Sequence, residues 1–163
     1  MSKLNLIIST FFGSGYVSKI PGTFASFLTT VLLYFCFEIL NFQNLIFIIL
    51  FFLMLLFYAF YAVKDSEKMF KIKDPKEIVI DEVLGQTIPL IFIVYLNQNN
   101  KTSLDLEVYY FLSFIFFRFF DIFKPFPVSY FDRKYKNFFG IIMDDLIAGL
   151  YSVIIIYLIC LKF

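Results

Sequence analysis

The chain contains no histidine among its 163 residues. That absence excludes a Ser-His-Asp triad, a histidine-ligated zinc site and phosphate transfer through a histidine side chain. The two cysteines, Cys36 and Cys160, each lie inside an apolar run, so they offer neither a disulfide framework nor the spacing of metal ligands. Any chemistry must therefore rest on carboxylates, lysines, arginines, hydroxyls and the backbone.

Charge is scarce and nearly balanced. Charged residues make up 17% of the chain and the net charge is only +1, whereas a soluble domain usually has about a quarter of its residues charged. Without a basic excess, and without aromatics interleaved among basic residues, a nucleic-acid partner is excluded. The hydrophobic fraction of 61% indicates instead a protein embedded in a membrane.

A transmembrane helix needs about 20 mostly apolar residues, and five stretches of this chain qualify. They are residues 24–40, 45–63, 78–96, 104–123 and 141–161. We predict an all-α, polytopic bundle of about five spans that forms a single domain over residues 1–163. The apolar stretch 4–12 is either a short helix that dips into the membrane or a signal peptide. The glycine-proline turn that follows it favours the dipping helix.

Basic residues are distributed unevenly among the predicted loops. Twelve of the fourteen precede the first span or lie around the connections after the second and fourth spans; the others are Lys101 and Lys162. The positive-inside rule therefore predicts that the amino terminus and those two connections are cytoplasmic. Three acids fall towards the opposite face, where we expect them to be solvated or near lipid headgroups: Glu38, Asp105 and Glu107.

Two pairs of adjacent carboxylates lie within or beside apolar spans, where acidic side chains are costly and call for a partner or a function. Asp81 and Glu82 form the first pair, and Gly85 follows on the helical face of Asp81, where it would let another helix approach closely. Asp144 and Asp145 form the second pair, with small residues four positions away on either side.

A third segment combines acids with bases. Arg118, Asp121 and Lys124 follow one another at three-residue spacing, and the prolines after them end the helix. Asp132 and Arg133 continue the pattern, although this pair also fits interfacial charges whose stems snorkel to the membrane surface.

In the predicted topology all three segments, and the turn 13–23, lie near the cytoplasmic ends of their spans. Their carboxylates suit a hard, all-oxygen site for Mg²⁺: Asp81, Glu82, Asp121, Asp144 and Asp145. The cations Arg118, Lys124 and Arg133 could then balance the charge of a phosphate, and Gly22 and Thr23 could donate to its oxygens. The alternative for the first acidic pair is a helix-packing ion pair with Arg118 or Lys124.

The order of these motifs resembles the phosphatidylglycerophosphatase A family over nearly the whole chain. The motifs are Pro21-Gly22-Thr23, Ile-Val-Ile-Asp-Glu-Val-Leu-Gly at 78–85, Asp-Ile-Phe-Lys-Pro-Phe-Pro at 121–127 with Phe-Asp-Arg at 131–133, and Gly-Ile-Ile-Met-Asp-Asp-Leu-Ile-Ala-Gly at 140–149. The resemblance implies Mg²⁺-dependent hydrolysis of the phospholipid phosphatidylglycerophosphate to phosphatidylglycerol and inorganic phosphate. It also implies a multi-pass protein of the bacterial inner membrane whose active site faces the cytoplasm.

With that resemblance we assign three groups of site residues. The expected metal ligands are Asp81, Glu82, Asp144 and Asp145. The expected catalytic residues are Asp121, as general base or a further ligand, with Lys124, Asp132 and Arg133. The expected substrate-binding residues are Pro21, Gly22, Thr23 and Arg118. A covalent aspartyl-phosphate has no supporting Asp-x-Asp-x-Thr pattern, and the competing class is an ion-coupled transporter that uses the embedded carboxylates as a relay. No oligomeric state is predicted.

Overall fold

The computed structural model describes residues 3–17, 19–70, 75–135 and 137–162. Within these ranges all regular structure is helical and there is no β-strand, which confirms the predicted all-α fold. The elements follow in this order: α1 (Lys3–Ser9), a 3₁₀ turn (Ser14–Tyr16), α2 (Pro21–Tyr34), a π-helical turn (Phe35–Ile39), α3 (Leu45–Phe70), α4 (Ile80–Gln98), α5 (Leu106–Phe123), α6 (Val128–Lys134) and α7 (Phe138–Lys162).

In the described part of the chain, four segments are long and apolar enough to cross a bilayer. They are α2 with its π-helical extension, Leu45–Ser66 of α3, α4 and α7. Helix α5 covers the fourth predicted span, 104–123, but its 18 residues include three charged side chains, Glu107, Arg118 and Asp121. Helices suit a bilayer because a spanning segment must satisfy its own backbone hydrogen bonds.

Local sequence explains where the helices at the site begin and end. Pro21 lies in the first turn of α2, where its missing N–H leaves no hydrogen bond unmade. The helix therefore begins three residues before the predicted span 24–40. Helix α5 ends at Lys124, which has a left-handed conformation with φ of 45°, and Pro125 follows it. A proline there cannot continue the helical hydrogen bonding.

The amino-terminal apolar stretch forms α1, which packs against the end of α3. Asn5 Nδ2 donates to Asp65 Oδ2 at 2.8 Å, and the Tyr58 hydroxyl donates to Asn5 Oδ1 at 2.6 Å. The hydroxyls of Ser9 and Ser66 lie 3.0 Å apart. These contacts stabilise α3 beyond residue 63, where its span was predicted to end. With seven residues, α1 is too short to span a bilayer, and its dipping into the membrane stays a prediction.

Helix α4 lies at the centre of the bundle, packed against α7, α2, α5 and α3. Two glycines bring α4 and α7 into backbone contact. A Cβ at Gly85 would meet the carbonyl oxygen of Asp145 at 2.6 Å, and a Cβ at Gly149 would collide with the carbonyl oxygen of Gly85. The prediction that Gly85 allows the close approach of another helix is confirmed.

Two hydrogen-bonded carboxylates join α2 and its extension to α5 at the other end of the bundle. The Tyr110 hydroxyl donates to Glu38 Oε1 at 2.9 Å, and the Tyr34 hydroxyl donates to Glu107 Oε1 at 3.0 Å. These acids lie away from the carboxylates of α4 and α7, as predicted. Glu107 is exposed and Glu38 is partly buried, and the hydrogen bond that each accepts from a tyrosine of the neighbouring helix was not predicted. Asp105 is exposed.

Candidate active site

Three carboxylates meet where α4 and α7 begin. Asp81 and Glu82 lie in the first turn of α4, and Asp145 lies in the second turn of α7. One oxygen from each of the three carboxylates lies within 4.8 Å of the other two. The contact between Gly85 and Gly149 lies one turn further along each helix. That contact sets the two helices close enough for the carboxylates to converge.

The Glu82 side chain lies between the other two carboxylates and the start of α2. A Cβ at Gly22 would collide with its Oε1 atom, so only glycine leaves room for the carboxylate in this position. Its Oε2 atom is buried and accepts no hydrogen bond from the described residues. A buried carboxylate oxygen without a donor is costly. A bound cation would satisfy this atom, and so the environment of Glu82 fits a metal ligand.

Arg118 holds another acid of the site in place. Its Nη1 atom lies 2.7 Å from Asp121 Oδ2 and donates to Ser26 Oγ at 3.4 Å. The Arg118 side chain is mostly buried, and it does not line the cavity described below. The structure therefore places Arg118 as the partner of Asp121 and of α2, whereas the sequence analysis expected contact with substrate. Ser26 was missed because serines are common in apolar helices and nothing marks this one.

Lys124 joins two further acids. Its Nζ atom donates to Asp132 Oδ1 at 2.5 Å and to Asp144 Oδ2 at 2.7 Å. Burial favours the neutral form of the lysine, but the carboxylates of Asp144 and Asp132 outweigh burial and raise the pKa of Lys124 above its ordinary value. The lysine therefore stays protonated at neutral pH. Asp144 Oδ1 accepts the backbone N–H of Asp145 at 3.1 Å, so both oxygens of Asp144 have partners.

These groups line a single cavity of about 470 Å³. Its walls carry six carboxylates, two cations, one tyrosine and one isoleucine: Asp81, Glu82, Asp121, Asp132, Asp144, Asp145, Lys124, Arg133, Tyr135 and Ile141. The sequence analysis missed Tyr135 and Ile141. No sequence signal marks Tyr135, although Gly140 packs against its backbone: a Cβ at Gly140 would collide with the Tyr135 carbonyl oxygen. Ile141 has no signal either, since it resembles its apolar neighbours.

The structure brings together most of the predicted site residues. Every predicted catalytic residue and every predicted metal ligand lines the cavity. Among the ligands, Asp144 lies apart from the converging group and contacts Lys124. Of the predicted substrate-binding residues, Pro21, Thr23 and Arg118 do not line the cavity, and Gly22 reaches it only through its contact with Glu82.

The cavity combines two chemistries. Its converging carboxylates are the hard oxygen ligands that Mg²⁺ prefers. Its cations, Lys124 and Arg133, are placed to attract an anion that binds beside such an ion. Fold and site together define a helical membrane protein with a polar cavity, lined by carboxylates and cations, at one end of its bundle.

Comparison with known proteins gives the family. The family model described as Phosphatidylglycerophosphatase A matches residues 7–160. The chain therefore belongs to the phosphatidylglycerophosphatase A family, and it is a phosphatase.

Three curated relatives cover most of the chain. A Haemophilus influenzae protein named Phosphatidylglycerophosphatase A is 35% identical over 93% of this chain and 85% of its own length. A Bacteroides thetaiotaomicron protein provisionally named phosphatidylinositol-3-phosphatase is 33% identical over 95% of this chain and 92% of its own. The Escherichia coli Phosphatidylglycerophosphatase A is 28% identical over 94% of this chain and 81% of its own length. No solved structure matches the chain.

Proposed function

We propose that this protein hydrolyses phosphatidylglycerophosphate to phosphatidylglycerol and inorganic phosphate, and that it uses Mg²⁺. The observation that carries the proposal is the meeting of three carboxylates beside protonated Lys124 in one cavity. Carboxylates alone would repel a phosphate. A divalent cation offsets that repulsion, so the acidic walls become a phosphate site only when the cation is bound.

Asp81, Glu82 and Asp145 are the residues that would hold the ion, because their oxygens converge and Glu82 Oε2 lacks a donor among the described residues. When bound, Mg²⁺ supplies positive charge and polarises a phosphoryl oxygen. Asp144 was expected as a fourth ligand. We assign it instead to positioning Lys124, because both of its oxygens already accept hydrogen bonds.

The remaining residues act on the phosphate and on water. Lys124 and Arg133 balance the charge of the phosphate monoester. Asp121 Oδ1 accepts a proton from the attacking water, since Oδ2 of the same carboxylate is held by Arg118. The water attacks phosphorus in line with the leaving glycerol oxygen, the phosphorus–oxygen ester bond breaks, and the leaving oxygen takes a proton from solvent. Asp132 holds Lys124 in place together with Asp144.

The distribution of basic residues supports an orientation in the bacterial inner membrane. Lys64 and Lys76 lie at the same end of the bundle as the cavity, together with the bases of α6. Lys101 and Lys162 lie at the other end. Because the excess of lysine and arginine marks the cytoplasmic side, we propose that the active site faces the cytoplasm.

A second candidate substrate follows from the Bacteroides thetaiotaomicron relative, whose name specifies phosphatidylinositol 3-phosphate. That lipid and phosphatidylglycerophosphate share one chemistry. Each carries a phosphomonoester on a polyol, and a phosphodiester joins the polyol to diacylglycerol. Both lipids therefore belong in the test of function.

The test is phosphate release by the purified protein in mixed micelles that contain each lipid separately, with Mg²⁺ or with excess chelator. We expect release from phosphatidylglycerophosphate that chelation abolishes and added Mg²⁺ restores. Full activity in chelator would contradict the metal proposal, and release only from the inositol lipid would replace the proposed substrate. A protein that releases phosphate from neither lipid but moves ions in sealed vesicles would support the transporter alternative.

A further inference from the structure

The face of α6 that points away from the bundle forms a second, shallow concavity of about 330 Å³. It is lined by Phe126, Ser129, Tyr130, Arg133 and Lys134. Arg133 also lines the 470 Å³ cavity of the candidate active site, called the acidic cavity from here on. This one side chain therefore forms a wall shared by the two surfaces. The two surfaces are therefore neighbours at the same end of the molecule.

The two surfaces differ in charge. Six carboxylates line the acidic cavity, whereas the α6 concavity is lined by two cations, two hydroxyl groups and no carboxylate. An anion can bind in the acidic cavity only beside a metal ion, but it can bind at the α6 concavity directly. Hydroxyl, guanidinium and ammonium groups are the side-chain donors that commonly contact phosphate oxygens.

Lys134 is held in place within this surface. Its Nζ atom donates to the Tyr130 hydroxyl and lies over the rings of Tyr130 and Tyr135, at 4.8 Å and 5.5 Å from their centroids. Contacts with an aromatic face orient a lysine without neutralising it. Because no carboxylate lines the concavity, the charge of Lys134 remains available to a ligand.

Phe126 completes the surface with an apolar group that is 77% exposed. It precedes α6, in the connection that leaves the end of α5, and an exposed aromatic ring at the end of a membrane helix suits the boundary between headgroups and acyl chains. The α6 concavity thus offers positive charge and hydroxyls next to an apolar edge, and it adjoins the cavity assigned to the phosphomonoester.

We propose that the α6 concavity binds the phosphodiester of the lipid headgroup, through Ser129, Tyr130, Arg133 and Lys134, while the terminal phosphomonoester occupies the acidic cavity. The inference rests on the proposed function, and it adds the group that distinguishes the substrate from other phosphomonoesters. Arg133 contacts both phosphates, because it lies on the shared wall. The glycerol that links the two phosphates lies beside it.

The test compares the protein with its Lys134→Met and Ser129→Ala variants in micelles of neutral lipid and detergent. Three quantities are measured: KM and kcat for phosphatidylglycerophosphate, the inhibition constant of phosphatidylglycerol, and that of inorganic phosphate. Phosphatidylglycerol carries only the phosphodiester, whereas inorganic phosphate corresponds to the phosphomonoester, so we expect its inhibition to report mainly on the acidic cavity. For Lys134→Met we expect KM and the inhibition constant of phosphatidylglycerol to rise about five- to tenfold, the effect of losing one cation at a membrane surface. We expect kcat and the inhibition constant of inorganic phosphate to change less than twofold.

Lys64→Met is the matched control, because it removes a lysine at the same end of the bundle that lies over Phe138 at 5.4 Å and outside both cavities. Equal effects of Lys64→Met and Lys134→Met would mean general attraction of anionic lipid and would overturn the subsite. Unchanged KM and phosphatidylglycerol inhibition in both α6 variants, with normal hydrolysis by the parent protein, would also overturn it. No hydrolysis by the parent protein would refute the proposed function, and the subsite with it.

Discussion

Lys124 Nζ lies 2.7 Å from Oδ2 of Asp144, and this contact links the end of α5 to the second turn of α7. Asp144 is buried, and its other carboxylate oxygen accepts a backbone N–H. The pair therefore fixes a positive charge at the edge of the converging carboxylates. If phosphate binds there, its charge lies next to an ammonium group whose position is set before the substrate arrives.

Replacing this lysine tests its role in neutralising phosphate. We expect Lys124→Met to lower kcat/KM about a hundredfold or more, the scale seen when a preorganised electrostatic contact to the reacting group is lost. The variant should also unfold more readily, by about 1–3 kcal/mol, because Asp144 keeps a buried charge without its partner. Lys101→Met, at the other end of the bundle, is the control for loss of a lysine. Wild-type kcat/KM in a folded Lys124→Met protein would disprove the assignment.

Amide replacements separate the metal ligands from the positioning acid. Asp81→Asn, Glu82→Gln and Asp145→Asn should each lower activity about a hundredfold or more, and raising Mg²⁺ should restore part of it, because a weakened cation site is filled by mass action. Asp144→Asn should lower activity without shifting the Mg²⁺ concentration for half-maximal rate. Phosphate release across a Mg²⁺ titration checks both statements, with exposed Asp105→Asn as the control. A Mg²⁺ shift only in Asp144→Asn would reverse our assignment.

Gly22 gives a test of how tightly Glu82 is placed. A Cβ at this position would collide with Glu82 Oε1, the free end of a flexible side chain. We expect Gly22→Ala to fold with little loss of stability but to lose activity about tenfold or more, since a displacement of about 1 Å at a reacting centre can cost two orders of magnitude. The measurement is phosphate release together with thermal unfolding in detergent.

A double-mutant cycle completes the Gly22 test. Glu82→Asp shortens the side chain and removes the collision, so the combined effect of Gly22→Ala and Glu82→Asp should be smaller than the product of the single effects. Purely multiplicative losses would show that the two residues act independently, against the contact described here.

Topology is tested by labelling single cysteines in a protein whose Cys36 and Cys160 are replaced by serine. Lys76 and Ser103 are exposed and lie at opposite ends of the bundle. We expect Lys76→Cys to react only with reagent on the cytoplasmic side, and Ser103→Cys only with reagent outside, since basic residues mark the cytoplasmic face. Activity of each variant provides the check on folding. Reaction of both positions from one side would contradict the proposed orientation.

The sequence was sufficient to predict the long helices, because a span must be both long and apolar and few arrangements satisfy a bilayer. It did not predict the short helix α6. It did place the acids of α4, α5 and α7 at one end, since antiparallel helices joined by short connections alternate in direction. Boundaries shifted where tertiary contacts intervened. Helix α3 extends past residue 63 because Asp65 and Ser66 form hydrogen bonds with α1.

Side-chain pairing within the site was harder to predict. Adjacent residues on a helix point about 100° apart, and the two acidic pairs differ: Asp81 and Glu82 both reach the converging group, whereas only Asp145 of the second pair does. The sequence does not say which of Asp144 and Asp145 turns towards Lys124. Arg118 was expected at the substrate because an arginine near acids suits a phosphate, but it contacts Asp121 on its own helix and Ser26 across the interface with α2. Both outcomes depend on the rotation of α5 and α7 about their axes, which packing sets.

The contact between Gly85 and Gly149 is also a point about which α7 can tilt, and it divides α7 into a short part that carries Asp145 and a longer part that ends at Lys162. Asp145 lies one turn from the contact, about 5–6 Å along the helix axis, whereas the far end of α7 at Lys162 lies about 20 Å away. If α7 rocks by about 10° around this point, these lengths imply that its distal end sweeps about 3–4 Å while Asp145 moves only about 1 Å. A tilt of the distal half of the helix, such as a bilayer of changed thickness would favour, is therefore reduced roughly three- to fourfold at the carboxylates.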